Sequence, residues 1–388
     1  MESDAFRIEP DVPCWSNAPL EDHKGNRLTE VGTPEFFERG THTFFGDVHI
    51  HTNFSRCGYP NNMSVEDNLA YARETAGMDF CCIADHAEHM EDDQYAHYCS
   101  AIEAANAPGA FATIPGFEWA CHTHPTHGHR NVMFRDRFGP ILRGNDDRYN
   151  SPRKLSEAVL SQDQPAIAPR HHPTYINNWD NFQPDTEPVV EIFSSWGNSE
   201  CESGSIQMSD DGRRGPWPGN YVQDGLARGY RLGFLGGGDA HSIKPGSNGV
   251  TAVIAPDRTR EAIFDAICSR RCYATTGPRI LLDFYVNGYP MGGVVKVPAA
   301  RWTEIFPLRV SCGAIGTANL RKIEIVENNR VVFTQHRRRG PSNQMAFSVQ
   351  RTQVDYYWRY FYARLTQEDG EMAWSSPVWF VYEEDVAL

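Results

Sequence analysis

The chain has 388 residues, more than one compact domain usually contains, so we expect two domains. Hydrophobic residues make up 40% of the chain and charged residues 22%, as in ordinary globular proteins. The formal net charge of −14 argues against nonspecific binding to nucleic acid or to an anionic membrane. A small anionic ligand remains compatible with this charge, because bound metal cations can invert the charge of a site.

Targeting signals and cysteine pairs give little indication of an exported protein. No apolar run approaches the roughly 20 residues of a membrane span, and the start Met1-Glu2-Ser3-Asp4 lacks the features of a signal peptide. The ten cysteines are scattered and form no Cys-x-x-Cys pair. Cys81 and Cys82 lie within an apolar run, where thiols act as small hydrophobic groups. We therefore expect a reduced, cytoplasmic protein with no membrane partner.

Strands and helices alternate along the first half of the chain. Residues 1–40 are rich in proline, glycine and acidic residues and are interpreted as an N-terminal arm. A strand at 44–49 and a helix between the N-cap Ser64 and the stop residue Gly77 come next. The segments that follow are a buried strand at 80–84, a helix at 98–105 and a strand at 111–117.

The alternation continues in the second half. Ser151-Pro152 predicts a helix start, because serine suits the N-cap and proline suits the first turn. The later segments are strands at 165–168, 189–193, 232–235 and 250–254 and helices at 221–228 and 259–270. Six or seven such units predict an α/β fold in which parallel strands form a barrel over residues 41–279.

The sequence pattern changes after about Arg279, where strands separated by turns replace the alternating strands and helices. Asn287-Gly288, Glu327-Asn328-Asn329 and Asp369-Gly370 are turn signals between these strands. Few histidines or acidic clusters occur in this part. We therefore predict a C-terminal β-sandwich domain over residues 280–388.

Histidines and carboxylates recur at or just past the ends of the predicted strands. His49 and His51 are two apart in a strand, so both imidazoles point the same way and can face one metal ion. A His-x-His pair alone supports a metal site only weakly, since one ring can lie in solvent. The further candidates are Asp85-His86, Glu118, His127, His129, His171-His172, Asp239 and His241. Nitrogen and oxygen ligands on several strand ends together indicate a metal centre.

These residues resemble the polymerase and histidinol phosphatase (PHP) superfamily. The motifs that carry the resemblance, in order, are Gly46-Asp47-Val48-His49-Ile50-His51-Thr52, Ala84-Asp85-His86, Gly116-Phe117-Glu118-Trp119, Gly128-His129-Arg130-Asn131-Val132, His171-His172-Pro173 and Gly237-Gly238-Asp239-Ala240-His241-Ser242. The branch that looks most similar is the one that includes carbaryl hydrolases. Its C-terminal part also resembles 273–280 and 373–377. The resemblance covers residues 42–382 and implies a distorted (β/α)7 barrel with two or three divalent metal ions, Zn, Mn or Fe.

The resemblance also implies a ligand set. His49 and His51 would hold one ion with Glu118 and Asp239. Glu118 would bridge to a second ion, whose remaining ligands would be His129 and His172. His86 and His241 would hold a third ion, with Cys57 at a position where the superfamily usually has Asp or His. A cysteine there either makes the third site a thiolate site that favours zinc or lies unliganded beside a two-metal centre.

Other residues have alternatives that the sequence leaves open. His127 and His171 compete with their neighbours His129 and His172 for the ligand role and otherwise contact substrate or belong to a polar loop. Arg130 and Arg170 can clamp an anionic oxygen in a bidentate manner or form surface ion pairs. Glu200 is a pocket candidate, whereas Glu191 lies inside a strand and suits a salt bridge at least as well. The residues that can line an apolar pocket for an aryl or sugar group, or else pack in the core, are Trp119, Tyr175 and Trp196.

Neighbours of the ligands and rim residues complete the set of candidates. Asp47 and Asp85 lie beside ligands and either orient imidazoles or bind backbone amides at strand ends. His122 lies in a Thr/His/Pro-rich loop and is interpreted as a rim residue.

The leading functional hypothesis is a hydrolase that cleaves a phosphoester of a small molecule with a metal-bound hydroxide. Glu118, Asp239 and His172 are the residues to which we assign catalytic roles. Cleavage of a carbamate or carboxylic ester is the alternative that the similar branch implies. A metal-stabilised binding protein without catalysis is a third hypothesis, which the large ligand set disfavours. A nuclease is disfavoured because the chain is acidic and has no basic stripe.

Overall fold

The computed structural model describes residues 6–8, 41–56, 63–122, 124, 126–204, 216–239, 244–337, 340–351 and 359–382. The chain divides into two compact units, one formed by residues 41–277 and the other by residues 1–40 and 278–388. Strand β1 (Phe6–Ile8) belongs to the second unit. Within the described residues, no helix is both long enough and apolar enough to cross a membrane.

The unit of residues 41–277 has mixed α/β structure. Its strands are β2 (His42–Ile50), β3 (Phe80–Ile83), β4 (Ala112–Thr113), β5 (Gly116–Ala120), β6 (His129–Phe134), β7 (Ala166–Ile167), β8 (Val189–Ser194), β9 (Gly197–Asn198), β10 (Gly233–Gly236), β11 (Val250–Ala255) and β12 (Cys272–Thr275). Its helices are α1 (Val65–Ala70), α2 (Asp92–Ala105), α3 (Pro152–Leu160), α4 (Val222–Ala227) and α5 (Arg260–Cys268). Shorter helical turns occur at Tyr71–Thr75, Ala87–His89 and Trp179–Asn181.

Three predicted helix starts are confirmed by their caps. The Ser64 side chain accepts a hydrogen bond from the Asp67 amide at the start of α1. Ser151 and Thr259 accept equivalent bonds at the starts of α3 and α5. Each bond satisfies an amide that has no partner within the first helical turn, which fixes where the helix begins.

The predicted arrangement of strands is correct only at the level of an α/β fold. Strand β2 pairs in parallel with β3, and β3 pairs in parallel with β4, but β11 pairs antiparallel with β2 and β12 antiparallel with β11. Strands β5, β6 and β7 form a separate antiparallel sheet, and β8 pairs with β10 in parallel and with β9 antiparallel. No closed sheet is present in the described part of the chain. The expectation of parallel strands was therefore wrong for these pairs. Loops rather than helices join β5 to β6 and β8 to β9, whereas β11 and β12 are antiparallel although α5 lies between them.

Backbone hydrogen bonds connect the ends of strands from different sheets. The Glu118 amide in β5 donates to the carbonyl of Asp85, which follows β3. The amide of Glu191 in β8 donates to the Arg170 carbonyl, and the amide of Asp239 donates to the carbonyl of His49 in β2. Strand ends that carry candidate ligands therefore adjoin, although they belong to different sheets.

The core of this unit explains which face of β2 points to the candidate ligands. Val48 is packed in an apolar cluster with Phe80, Ile114 and Leu235. Side chains alternate across a strand, so His49 lies on the opposite face from Val48. Burial of β2 on both faces places the polar side chains of one face inside the protein rather than in solvent.

The second unit consists mainly of strands. These are β13 (Leu281–Val286), β14 (Tyr289–Pro290), β15 (Val294–Val297), β16 (Leu308–Ile315), β17 (Leu320–Glu327), β18 (Arg330–His336), β19 (Gln344–Arg351), β20 (Arg359–Gln367), β21 (Met372–Ser375) and β22 (Val378–Tyr382), with one helical turn at Ala299–Ile305. One sheet has the order β1-β19-β16-β13-β14. The other strands pair as β15-β22-β20-β21, with β17 between β20 and β18. Asn287-Gly288 joins β13 to β14 with positive φ at both residues, as the sequence predicted.

A buried ion-pair triad ties three segments of the first unit together. The Arg130 Nε donates to Glu187 Oε1 at 3.0 Å, and the Arg170 Nε donates to Glu187 Oε2 at 2.5 Å. All three side chains are at most 1% exposed. The Arg170 guanidinium also lies over the Trp179 ring, 4.4 Å from its centroid. One carboxylate therefore satisfies two charges that have no access to water.

We predict that Glu187→Ala lowers the free energy of unfolding by about 3–5 kcal/mol, because it leaves two buried guanidinium groups without a counter-charge. Urea unfolding followed by circular dichroism measures this change. The control is Asp163→Ala, which removes an exposed partner of Arg137 and should leave the unfolding midpoint nearly unchanged. Equal midpoints for both variants would contradict the triad's stabilising role.

Candidate metal centre

The predicted ligands come together from separate strands. Strand β2 carries His49 and is followed at once by His51, β5 carries Glu118, and β6 begins with His129. His86 follows β3, His171 and His172 follow β7, and Asp239 follows β10. All of these side chains are buried or nearly so. Cys57 and His241, the other two predicted ligands, lie outside the described residues.

Glu118 is the centre of the cluster. Its Oε1 lies 2.6 Å from His129 Nδ1 and 3.1 Å from His171 Nε2. Its Oε2 faces a different set of nitrogens, namely Nε2 of His51 at 3.2 Å, His49 at 3.4 Å and His86 at 3.5 Å. Each oxygen of this carboxylate thus has its own group of imidazoles, so the two oxygens could contact two different cations.

Asp239 forms the other side of the cluster. Its Oδ1 lies 3.3 Å from His51 Nε2 and 3.5 Å from His49 Nε2, and its Oδ2 lies 3.7 Å from His172 Nε2. Asp239 and His172 both have positive φ, 42° and 29°. Such backbone conformations are costly for residues other than glycine and are concentrated at functional sites.

The ligand atoms form four overlapping groups, each compact enough for one ion. Within each group all ligand atoms lie within 4.8 Å of one another. The groups are His49-His51-Asp239, His49-Glu118-His171, His51-His86-Glu118 and His129-His171-His172. Nitrogen and carboxylate oxygen donors in this mixture suit Zn, Mn or Fe. His171 belongs to two groups, so the structure brings both members of the His171-His172 pair into the cluster.

The imidazoles of His49 and His51 are oriented from behind. His49 Nδ1 lies 3.0 Å from Glu191 Oε2, and a carboxylate only accepts, so Nδ1 donates and Nε2 keeps its lone pair. His51 Nδ1 lies 2.9 Å from the Ser55 hydroxyl, which donates its one proton to Asp85 Oδ1 at 2.6 Å. His51 Nδ1 must then be the donor, and its Nε2 is the atom available for a metal ion.

Glu88 has a similar position behind His86. Its Oε1 lies 3.2 Å from His86 Nδ1 and 3.4 Å from the Nε2 of His122. The Glu88 side chain is only 5% exposed, whereas His122 is 60% exposed. Burial alone would raise the pKa of Glu88, but the close imidazoles of His122 and His86 lower it to about 2. This carboxylate therefore connects a candidate ligand to a rim histidine.

Asp47 and Asp85 bind backbone amides, which is one of the two interpretations that the sequence left open. Asp47 accepts from the amides of His49 at 3.0 Å, Gly238 at 2.9 Å and Gly246 at 3.1 Å. Asp85 accepts from the amides of Thr52 and Ser55 at 2.7 and 3.1 Å. Burial raises the pKa of Asp47 to about 6, against the opposing effect of these amides. Both aspartates fix the backbone that carries the ligands.

The electrostatics of the cluster are compatible with bound cations. Burial alone would raise the pKa of Glu118, but the imidazoles of His86, His171 and His129 hold it well below its usual range. Burial and the neighbouring His49 lower the pKa of His171 to about 3, so this imidazole is neutral and able to coordinate. Buried polar atoms without a hydrogen-bond partner in the described part of the chain include His129 Nε2, His171 Nδ1, His172 Nδ1 and Asp239 Oδ2. The donor set and these orphaned atoms fit bound metal ions.

Two of the predicted substrate contacts need correction. Arg130 and Arg170 were candidates for an anion clamp, but both guanidinium groups are engaged by Glu187 and by backbone carbonyls. The sequence left a surface ion pair as the alternative, whereas the ion pairs that both arginines form with Glu187 are buried. Trp119 is fully buried and donates to the Tyr149 carbonyl, so it packs in the core rather than lining a pocket.

His127 and Glu200 lie apart from the ligand groups of the described residues. His127 Nδ1 lies 3.4 Å from Cys121 Sγ, and its ring stacks on His124 with centroids 4.2 Å apart. Glu200 is buried just after β9, and its amide donates to the Asn198 side chain. Their proposed contacts with substrate remain predictions.

The sequence did not predict the orienting role of three residues. Glu191 was weighed as a structural salt bridge, and Glu88 and Ser55 were not singled out. Ser55 carries no signal, since serine is common in loops. The position of Glu191 in strand β8 gives a weak one, because a carboxylate inside a buried strand needs a polar partner.

Comparisons with known proteins give relatives of undetermined function. Residues 66–141 and 224–303 match the family model named protein of unknown function (DUF3604). An uncharacterized protein of Chlamydia pneumoniae is 26% identical over 344 residues, which cover 81% of this chain and 54% of the relative. One of Chlamydia trachomatis serovar D is 32% identical over 231 residues, which cover 52% of this chain and 36% of the relative. The chain thus spans about half or less of the length of these relatives.

One solved structure is similar over most of its length. It is a two-domain protein containing a predicted PHP-like metal-dependent phosphoesterase from Bacteroides vulgatus ATCC 8482. Its sequence is 14% identical, the match covers 91% of this chain and 99% of that chain, and the TM-score is 0.44.

We predict that Glu191→Ala weakens metal binding about 10- to 100-fold, because His49 loses the acceptor that fixes its tautomer and ring orientation. Glu191→Gln should weaken it less, since the amide oxygen still accepts a hydrogen bond. Titration of the metal-free protein with Zn²⁺ or Mn²⁺ in competition with a chelator measures the affinity. Glu157→Ala, on the exposed side of α3, is the control, and a Glu191→Ala variant with wild-type affinity would refute the orienting role.

Proposed function

We propose that the chain is a metal-dependent hydrolase of the PHP type that cleaves phosphoesters of small molecules. The observation that carries the proposal is the Glu118 carboxylate, whose two oxygens face separate sets of imidazoles. A site with only a structural role needs four closed ligands around one ion. The four overlapping ligand groups, two of which contain Glu118, offer more donors than such a site needs.

The ligand groups define a role for each residue. His49, His51 and Asp239 would hold one ion together with Glu118, and His129, His171 and His172 would hold a second ion on the other side of the Glu118 carboxylate. His86 stands beside Glu118 Oε2 and serves a third position, for which the proposed partners are Cys57 and His241. Bound divalent ions would supply a water of lowered pKa and would polarise the substrate oxygen. The side chains keep these ions close together and in fixed positions.

Phosphoesters are the preferred substrates for a reason of charge. Glu118 and Asp239 are the carboxylates that face the ligand groups directly, and together they carry fewer negative charges than two divalent ions carry positive ones. The occupied centre would therefore attract an anionic group. Arg130 and Arg170 are engaged by Glu187, so neutralisation of a phosphate falls to the ions themselves. Carbamate or carboxylic ester cleavage is the second candidate, and the aromatic pair Tyr175–Trp196 beside His172 favours it.

We further propose that residues 41–279 form the catalytic domain as a distorted (β/α)7 barrel. The support is the set of backbone hydrogen bonds that link β3 to β5, the end of β7 to β8, and β2 to the segment after β10. Active sites of such barrels lie at the carboxyl ends of the strands. Most of the candidate ligands lie at or after the carboxyl ends of strands here, whereas Glu118 lies within β5 and His129 begins β6. Residues 280–388 are proposed to be a β-sandwich domain.

We predict that the purified protein, loaded with Mn²⁺, Zn²⁺ or Fe²⁺, hydrolyses aryl phosphates faster than aryl carbamates in a substrate panel. Glu118→Gln and Asp239→Asn each replace an anionic ligand by a neutral one, so kcat/KM should fall at least about 100-fold. Circular dichroism checks that both variants fold. Asp163→Asn, at an exposed site, should keep full activity. Wild-type activity in both ligand variants would refute the proposed centre, and turnover of carbamates alone would favour the second candidate.

A further inference from the structure

Two aromatic side chains stand beside the cluster. The rings of Tyr175 and Trp196 are nearly parallel, with an interplanar angle of 12° and centroids 6.2 Å apart. Both are set edge-on to the imidazole of His172, at centroid distances of 5.3 and 6.4 Å. His172 is a member of the ligand group His129-His171-His172. The aromatic pair therefore lies directly beside a candidate metal ligand.

The backbone of the cluster holds this pair in place. The Ser195 amide donates to the Gly238 carbonyl at 3.1 Å, and the Ser195 hydroxyl donates to the Asp239 carbonyl at 2.8 Å. These bonds fix the residue next to Trp196 against the residue that supplies a candidate ligand. The Tyr175 amide donates to the His172 carbonyl at 2.9 Å. Each ring is thus anchored to a different ligand-bearing segment.

Exposure separates Trp196 from the tryptophans of the core. Trp119 and Trp179 are fully buried, and their indole nitrogens donate to the carbonyls of Tyr149 and Tyr221. Trp196 is only partly buried. A core role accounts for the first two tryptophans but not for a partly exposed indole that is fixed beside a metal-ligand group.

We propose that Trp196 and Tyr175 form an aryl-binding wall, against which the aromatic group of an ester substrate packs while its ester group lies over the cluster. This inference rests on the proposed function and deepens it by naming aryl esters as the substrate class. Flat aromatic surfaces favour a flat apolar partner in offset stacking or edge-to-face contact. Trp196 is then a specificity-determining residue, and Tyr175 supports its orientation.

The test compares phenyl phosphate with ethyl phosphate. Trp196→Ala should lower kcat/KM for phenyl phosphate about 10- to 100-fold, mainly through a higher KM, because the lost contact is a stacking contact. The value for ethyl phosphate should change less than about threefold. Trp196→Phe should restore most of the preference. The readout is the kcat/KM for phenyl phosphate divided by the kcat/KM for ethyl phosphate. Comparing this ratio between the variant and the wild type cancels the higher intrinsic reactivity of the phenyl ester.

Tyr289→Ala is the matched control, since Tyr289 is an aromatic residue of the second unit that is 47% exposed. This variant should leave kcat/KM for both substrates unchanged. If Trp196→Ala lowered kcat/KM equally for phenyl and ethyl phosphate, the aryl-binding wall would be overturned and Trp196 would have a structural role. A preference of the wild type for a sugar phosphate that Trp196→Ala removes would also overturn it, because the occupant would then be a saturated ring.

A second readout keeps the inference separate from the proposed function. If the metal-loaded wild type hydrolyses no phosphoester, the proposed function fails, and the wall is then judged by calorimetric titration with phenylphosphonate and ethylphosphonate. Tighter binding of phenylphosphonate that is lost in Trp196→Ala supports the wall. Equal affinities of the wild type for the two phosphonates contradict it.

Discussion

The Glu118 carboxylate is the interaction on which the arrangement of the candidate centre depends. Its two oxygens bring together imidazoles from β2, β6 and the segments after β3 and β7. Histidines from four parts of the chain converge around buried carboxylates, an arrangement in which bound cations would balance the negative charge and use the imidazole lone pairs. The orienting contacts behind His49 and His51 have the same purpose, since they turn Nε2 of each ring toward Glu118.

A glycine allows two ligand-bearing segments of the backbone to approach each other closely. A Cβ on Gly237 would lie 2.3 Å from Glu191 Oε2 and 2.7 Å from the Cβ of His49. Glycine at this position allows the backbone after β10 to pass close to β2, and the Asp239 amide then reaches the His49 carbonyl. The positive φ of Asp239 completes this approach. Strain in the backbone is thus placed where it brings a ligand to the cluster.

Strand periodicity and strand ends made part of the candidate centre predictable, since His49 and His51 share one face of a strand and Glu118 and Asp239 lie in or just past apolar runs. The assignment of each candidate to a particular ion came from the resemblance of the motifs and not from local pattern. The ion pairs of Arg130 and Arg170 with Glu187 were not predictable, because Glu187 lies 57 and 17 residues away along the chain. The antiparallel pairing of β5 with β6 was missed for a similar reason, since an apolar run does not reveal the direction of its neighbour. Helix starts at Ser64, Ser151 and Thr259 were correct because a cap is a local interaction.

Metal content tests the central claim most directly. The protein should be purified, freed of metal with a chelator, reloaded with Zn²⁺ or Mn²⁺, and analysed by mass spectrometry of the metals per chain. The wild type should bind at least two equivalents of metal per chain, and Glu118→Ala should lose at least one of them with unchanged circular dichroism. A wild-type protein that folds but takes up no metal, or a Glu118→Ala variant that retains every equivalent, would contradict it.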